Sequence, residues 1–456
     1  MFKDILIKFK GDKVIWRIII ALMLISVLSV YSSISLLAIQ QKDGNTTFYI
    51  IKHMIIVGIS LGIIYFFHKI DYRVYFKLAK VILISSIPLL LLTFFADDTN
   101  SAQRWLEIPG IGLSFQPSDY TKFALLIFAS RILSQNQNDI GNYKKVLLPI
   151  VIVTGVLCSI ILISNFSTSI LLFIYVLVLL FVGRIPMKQL SILVGILSIV
   201  GFLLLMMIIN SPETISRAST WKSRLNAKYP AMVETLSFVK SKTPEYKNTI
   251  AVASVKGENY QATQAKIAIA NGGILGKGPG RSTQRDMLPQ AYCDFIYAII
   301  IEDYGLLGGI VVMILYLWLI YRAGIIIRKC KYSFPALLSF SLIFMMVMQS
   351  LVNMAVSVTL FPVTGQTMTL ISMGGTSMFF TSISLGIILS ISHSIEKFNV
   401  EEDKEDDGKE EKEEEKVKDD AVVEKETKTK TDESKPLKEI IENDDDDDVI
   451  NDNTKK

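Results

Sequence analysis

Runs of apolar residues long enough to cross a bilayer, roughly 17–25 residues each, recur through the first 393 positions and are separated by short polar loops. They predict ten helices: Trp16–Ala38, Tyr49–His68, Leu78–Phe95, Tyr120–Leu133, Val146–Ile163, Ser169–Val182, Gln189–Asn210, Ala291–Ile320, Phe334–Leu351 and Met373–Ser392. The fourth and sixth are short for a span. The expected fold class is an all-α polytopic membrane protein of about ten transmembrane helices, with one large extracytoplasmic loop between helices 7 and 8. Three regions follow: a cytoplasmic N-terminus (1–15), a membrane domain (16–395, its long hydrophilic loop at 210–290) and a tail (396–456).

Loop charge orients the chain. With the amino terminus inside, the cytoplasmic segments hold Lys3, Lys8, Lys10, Lys13, Lys69, Arg73, Lys77, Lys144, Lys145, Arg184, Lys188, Arg322, Arg328, Lys329 and Lys331, whereas the short external loops hold little beyond Lys42 and Arg104. Both termini are therefore expected in the cytoplasm and the segment from Ser211 to Gln290 outside. The first apolar run is too long for a cleavable signal and lacks a small-residue cleavage site after it, so it is expected to remain as a signal anchor.

Composition adds a segregation of charge. The chain is 51% hydrophobic, 20% charged and carries a net +4. From Glu401 onward there are 25 acids against 12 lysines, which leaves −13 on the tail and +17 on the membrane body. Such a tail, with the run Asp444–Asp448 and almost no apolar content, is expected to be disordered; it reads as a solvated spacer or as a docking tail for a basic partner. Cys158, Cys293 and Cys330 give no disulfide framework, His53, His68 and His393 show no metal spacing, and the absence of a cytoplasmic Walker motif speaks against an ATP-driven machine.

Three polar constellations face outward in this topology. Arg104 and Trp105 precede Gln116-Pro117-Ser118-Asp119, which reads as a helix start with Ser118 as N-cap and Asp119 at the positive end of the dipole. Asp119 and Lys122 share a helical face and can pair, as a salt-bridged helix terminus, as part of a site, or as both. In the long loop, Arg217, Lys222, Arg224 and Lys228 surround Trp221, and Lys277, Arg281 and Arg285 alternate with glycines. Positive charge with free N–H groups at glycine turns suits phosphate oxygens, and equally attracts anionic headgroups. Pro362–Gln366 and Ser372–Ser377 are rich in glycine and hydroxyls, which allows either a re-entrant turn lining a cavity or close helix packing. Between them, Asp294 stands where a hydrophobic helix begins, as a helix N-cap or as a functional acid.

Taken together, Arg104–Trp105, QPSD with Lys122, GGILGKGPG, LPQAYCDFIYAIIIEDYGLLG, PVTGQ and ISMGGTS resemble, in order, the SEDS family of membrane glycosyltransferases (the FtsW/RodA/SpoVE family) over roughly Trp16–His393. GKGPGRSTQR followed by DFIYAIIIEDYG is closer to the FtsW branch than to the RodA branch. The resemblance implies a peptidoglycan glycosyltransferase that polymerises lipid II into β-1,4 glycan strands on the outer face of the bacterial cytoplasmic membrane, at the division septum. Asp294 would be the catalytic base. Arg104, Trp105, Gln116, Ser118, Asp119, Lys122, Arg224, Lys277, Arg281, Thr364, Gly365 and Ser372 would bind or frame the substrate. The resemblance implies no certain cofactor; a divalent cation can share the stabilisation of the pyrophosphate, although no cluster of carboxylates marks a dedicated site. The implied partners are lipid II, a class B penicillin-binding protein transpeptidase and other division proteins, with no nucleic acid. A RodA-type elongation polymerase, a lipid II flippase and a division scaffold are the competing readings. The chain departs from the family pattern at Asp119 and Asp303, where glutamate is usual, at Gln290 in place of glutamate, at Ser164–Thr168 and at Thr369 in place of proline.

Overall fold

The computed structural model describes residues 11–41, 45–95, 106–108, 113–210 and 258–398. The expectations for residues 1–10, Lys42, Arg104, Trp105, Arg217, Trp221, Lys222, Arg224, Lys228 and the acidic tail lie outside the described residues. The chain divides into two units at Glu396–Lys397, and apart from Lys397 and Phe398 the described residues belong to the first.

The helices are α1 (Lys13–Ser33), α2 (Ser35–Gln41), α3 (Thr46–Phe67), α4 (Tyr72–Leu92), α5 (Pro117–Gln135), α6 (Leu147–Ser164), α7 (Phe166–Val182), α8 (Met187–Asn210), α9 (Glu258–Gly272), α10 (Ile296–Arg328), α11 (Ser333–Ser357) and α12 (Thr376–Phe398). Eight of them, α1, α3, α4, α6, α8, α10, α11 and α12, are long and apolar enough to cross a membrane. With α5 and α7 they account for all ten apolar runs. The two exceptions coincide with the runs that were short in sequence. In α5 the reason is its position: from Pro117 to Ser130 only Tyr120 is not fully buried. Enclosed by α4, α7 and α11, it needs no lipid-facing surface and can carry Asp119, Lys122 and Arg131.

Local chemistry explains several boundaries. Asp12 caps α1 by accepting from the N–H groups of Val14 and Ile15 at 2.8 and 3.1 Å, and it also pairs with Arg322 of α10 at 2.6 Å. Asp71 starts α4 and Asn165 starts α7 in the same way, through the N–H groups of Arg73 and Thr168. The first predicted helix ends early, and α2 begins separately at Ser35. Before α5 lies an antiparallel ribbon, β1 (Leu106–Ile108) with β2 (Leu113–Phe115), in the register Leu106↔Phe115 and Ile108↔Leu113. The sequence pattern did not suggest it.

The largest departure is in α10. Its 33 residues would measure about 50 Å as one helix, well beyond a hydrocarbon layer of about 30 Å. The helix instead breaks at Gly305, whose φ of +71° and ψ of −176° fall where essentially only glycine goes. Residues 296–304 form a packed piece, buried except for half-buried Tyr304, and residues 306–328 suffice to span. A break orphans carbonyls before it and N–H groups after it. The loop after α9 satisfies both. Lys277 and Gly278 donate N–H bonds to the carbonyls of Glu302 and Asp303 at 3.0 and 2.9 Å, while Leu306 and Leu307 donate to Gly273 and Ile274 at 2.9 and 3.4 Å.

Contact this close requires glycine. A Cβ on Gly272, Gly276 or Gly305 would lie 2.0–2.2 Å from a backbone oxygen of the opposite segment. Replacing Gly305 with alanine is therefore expected to lower stability by at least about 1–3 kcal/mol from backbone strain, read as a fall in the thermal midpoint of the purified protein. An unchanged midpoint would mean that the break is not built into the fold.

Candidate functional site

The site is assembled around the first turn of α5. Pro117 occupies the first helical position, where its fixed φ and missing N–H cost nothing. Gln116, not Ser118, is the N-cap residue, and it makes no side-chain capping bond. Ser118 instead lies inside the helix and accepts from Gln116 Nε2 at 3.0 Å, because the proline moves the helix start two residues upstream. Asp119 remains in the first turn, where the dipole favours a negative charge. Its carboxylate meets Lys122 Nζ at 2.7 Å, with only 8% and 4% of the two side chains exposed.

From Lys122 a chain of hydrogen bonds crosses the protein. The ammonium donates to Gln349 Oε1 on α11 at 3.0 Å. Gln349 Nε2 donates to the Thr367 carbonyl at 3.0 Å and to its hydroxyl at 3.3 Å. One turn along α11, Asn353 Nδ2 bridges the carbonyls of Gln366 at 2.7 Å and Asp294 at 3.0 Å. Gln366 Nε2 reaches Thr168 at the start of α7 at 2.8 Å. Ser372 accepts from the Met368 N–H at 2.8 Å and donates to the Cys293 carbonyl at 2.7 Å, and the Met373 N–H donates to the Tyr292 carbonyl at 3.0 Å.

Three consecutive carbonyls, of Tyr292, Cys293 and Asp294, are thus held by three donors from α11 and the segment before α12. Asp294 is half-buried at the mouth of this frame. The N-cap position of α10 is Phe295, so the helix does not use Asp294 as its N-cap. Beside it, burial pushes the Tyr292 phenol up to about 12, with the Cys293 and Asp294 charges acting in the same direction. The phenol therefore stays neutral near pH 7. Oδ2 of Asp119, Oδ1 of Asn353 and Oγ1 of Thr364 are buried atoms with no hydrogen-bond partner among the described residues. These oxygens keep capacity for water or a polar ligand.

The glycine-rich loop has a different role from the anion cradle read in the sequence. The N–H groups of Gly276, Lys277 and Gly278 are taken by Gly272, Glu302 and Asp303 carbonyls; they are not free for phosphate. The buried Glu302 carboxylate accepts from Lys277 Nζ at 3.1 Å, from the N–H groups of Thr283 and Gln284 at 3.1 Å each, from the Thr283 hydroxyl at 2.9 Å and from Ser282. Lys277 is committed to Glu302, though about a third of its side chain remains exposed, while Arg281 is exposed. Arg285 folds back on the Gly280 carbonyl at 2.7 Å.

The sequence reading did not single out Glu302, Gln349, Asn353 or Ser26, and it considered His53 only as a metal ligand. Ser26 donates to the Ile371 carbonyl at 2.8 Å, lies 2.9 Å from His53 Nε2, and so braces the same segment from α1 and α3. The available signal was amides four apart in an otherwise apolar α11, since uncompensated amides are costly in such a setting. Among the described residues no group of three or more His, Cys, Asp or Glu could hold a metal ion.

The family model FTSW_RODA_SPOVE, described as "Cell cycle protein", matches residues 12–397. The chain belongs to this family. Relatives include the probable peptidoglycan glycosyltransferases FtsW of Buchnera aphidicola, 28% identical over 401 residues (87% of this chain, 97% of the relative), and of Haemophilus influenzae, 28% identical over 396 residues (85% and 92%). Among solved structures, a peptidoglycan synthase complex that coordinates polymerization and crosslinking has a chain with a TM-score of 0.61, 19% identity and coverage of 84% and 98%. RodA of Thermus thermophilus gives 0.56, 20%, 84% and 96%. At these identities the structural likeness establishes the shared polytopic fold.

Within the FTSW_RODA_SPOVE family pattern, two departures acquire a local reason. Thr369, where the sequence resemblance leads to an expectation of proline, donates its N–H to Ser350 at 3.2 Å and its hydroxyl to the Met346 carbonyl at 3.0 Å; a proline has no N–H to give. Asn165, in the altered stretch after α6, supplies the cap of α7. The buried ion pair itself can be tested. Lys122→Met strands the Asp119 carboxylate and is expected to cost about 3–5 kcal/mol, whereas Asp119→Leu combined with Lys122→Met should cost less than Lys122→Met alone. Thermal unfolding of both variants checks this, and a double variant less stable than the single one would contradict it.

Proposed function

We propose that this chain is a peptidoglycan glycosyltransferase that extends glycan strands from lipid II, with Asp294 as its general base. The observation that carries the proposal is the three-donor clamp on the Tyr292–Asp294 backbone, which fixes the main chain of a half-buried acid and ties it through Asn353 to the helix that carries Gln349. Holding an acid in one place is what proton transfer in a transition state requires. The names of the FtsW relatives support the same activity and a septal role.

The chemistry fits these parts. In lipid II the donor sugar already carries an undecaprenyl pyrophosphate leaving group, which departs with stabilised charge and needs no proton. The acceptor 4-hydroxyl loses its proton to Asp294, attacks the α-linked anomeric carbon from the opposite face and forms a β-1,4 bond. Arg281, with Arg104 and Arg224 from segments outside the described residues, supplies positive charge to the pyrophosphate, while Lys277, paired with Glu302, holds the loop that carries Arg281. Gln116, Ser118, Asp119, Lys122, Thr364, Gly365 and Ser372 frame the cavity, and Trp105 contributes an aromatic contact to the sugar or lipid. Both termini lie in the cytoplasm, with residues 1–15, 16–395 and 396–456 as N-terminus, membrane domain and tail. A class B penicillin-binding protein is the partner, in keeping with the crosslinking complex whose polymerising fold this chain shares.

Asp294→Asn keeps shape and removes the base. With the cognate transpeptidase present and blocked by a β-lactam, lipid II polymerisation is expected to fall by about 10²–10⁴-fold while expression and thermal midpoint hold. Glycan ladders of equal strength from both proteins would place the base elsewhere, and no ladders from either would favour a flippase or a scaffold.

A further inference from the structure

The turn that closes the break in α10 carries two side chains with no role in the frame described above. Ile274 and Leu275 are 68% and 79% exposed, although they stand in a segment held rigidly by backbone bonds. Their surroundings fix their depth. The Ile274 carbonyl accepts from Leu307, the Gly273 carbonyl accepts from Leu306, and Gly305 approaches so closely that a Cβ there would lie 2.1 Å from the Ile274 oxygen. Residues 306 and 307 are the first of the spanning piece of α10, so Ile274 and Leu275 sit level with the start of that span.

The exposed apolar surface is continuous. Leu306 and Leu307 are 49% and 52% exposed, and Val311, Ile314, Leu317, Trp318 and Tyr321 carry the same kind of surface along the spanning piece. Polar backbone near hydrocarbon is tolerated only when its hydrogen bonds are made within the protein. Here the N–H groups of Gly276, Lys277 and Gly278 and the carbonyls of Gly272, Gly273 and Ile274 all have partners. A few residues further along the chain Arg281 is exposed, a cation able to pair with a lipid phosphate.

We infer that the Ile274–Leu275 turn is a lipid anchor: it inserts among the acyl chains of the leaflet next to Gly305 and moors the glycine-rich loop to the membrane surface. The partner is the bilayer itself, selected by continuity with the apolar face of α10. Insertion on one side only, with basic residues above the apolar tip, is the arrangement of an interfacial anchor and not of a span. It holds the basic loop at headgroup depth whatever reaction the protein performs, so it rests on the membrane fold and not on the transferase reading.

The test uses the full-length chain with Cys158, Cys293 and Cys330 replaced by alanine, and an environment-sensitive fluorophore attached at Leu275→Cys or, separately, at Ile274→Cys. Lys144→Cys, at an exposed position in the α5–α6 loop, is the water-exposed reference. Each protein is reconstituted in phosphatidylcholine–phosphatidylglycerol nanodiscs after its thermal midpoint is matched to the cysteine-free parent. The anchor predicts blue-shifted emission at both turn positions, protection from aqueous iodide, and quenching by doxyl groups high on the acyl chain about twofold or more stronger than at Lys144→Cys. Water-like emission with iodide quenching at both positions would overturn it. Blue-shifted emission without doxyl quenching would also overturn it, since the turn would then be packed against protein.

Discussion

A lysine ammonium shut away from water in the second turn of α5 is the constraint on which the rest of the site depends. Lys122 is tolerable there only because Asp119 neutralises it at 2.7 Å and Gln349 accepts a further bond at 3.0 Å. That requirement fixes α5 against α11. Gln349 then spends its amide on Thr367, which fixes the segment before α12. Asn353, one turn on, ties that segment to Asp294. A buried charge thus sets the placement of an acid on a different element, through partners that each have few alternatives.

The second frame is the broken α10. The break at Gly305 leaves a piece of spanning length within a 33-residue element, and it creates orphaned backbone groups on both sides. The loop after α9 fills them, and Glu302 gathers the following residues by five donors. Glycine serves close backbone approach here, as the short Cβ distances at Gly272, Gly276 and Gly305 require. The basic residues that follow are carried by a rigid support, with Arg281 left exposed.

Much of this architecture was legible in the sequence. Apolar run length is a direct consequence of bilayer thickness, so ten helices could be read without tertiary information. The pairing of Asp119 with Lys122 was legible because three-residue spacing brings side chains together on any helix. The N-cap was misread at Ser118 because the capping preference of serine was weighed without the stronger placement of Pro117 at the first helical position. The glycine loop was misread as an anion cradle because composition reports that N–H groups can approach something, not that a helix break has already claimed them. The roles of Gln349, Asn353 and Glu302 depend on partners 13 to more than 200 positions away; no local pattern encodes such contacts.

The central claim is that a polar network with Lys122 and Gln349 at its root holds the Asp294 segment in place. Hydrogen–deuterium exchange on the wild type and on Gln349→Met in nanodiscs tests it most directly, because Gln349 makes its bonds to Lys122 and Thr367 and the Asp294 loop is bound one step further on. Faster exchange is predicted in residues 366–373 and also in residues 290–296, with the N-terminal half of α11 unchanged. Faster exchange confined to residues 366–373, with 290–296 as protected as in the wild type, would contradict the account.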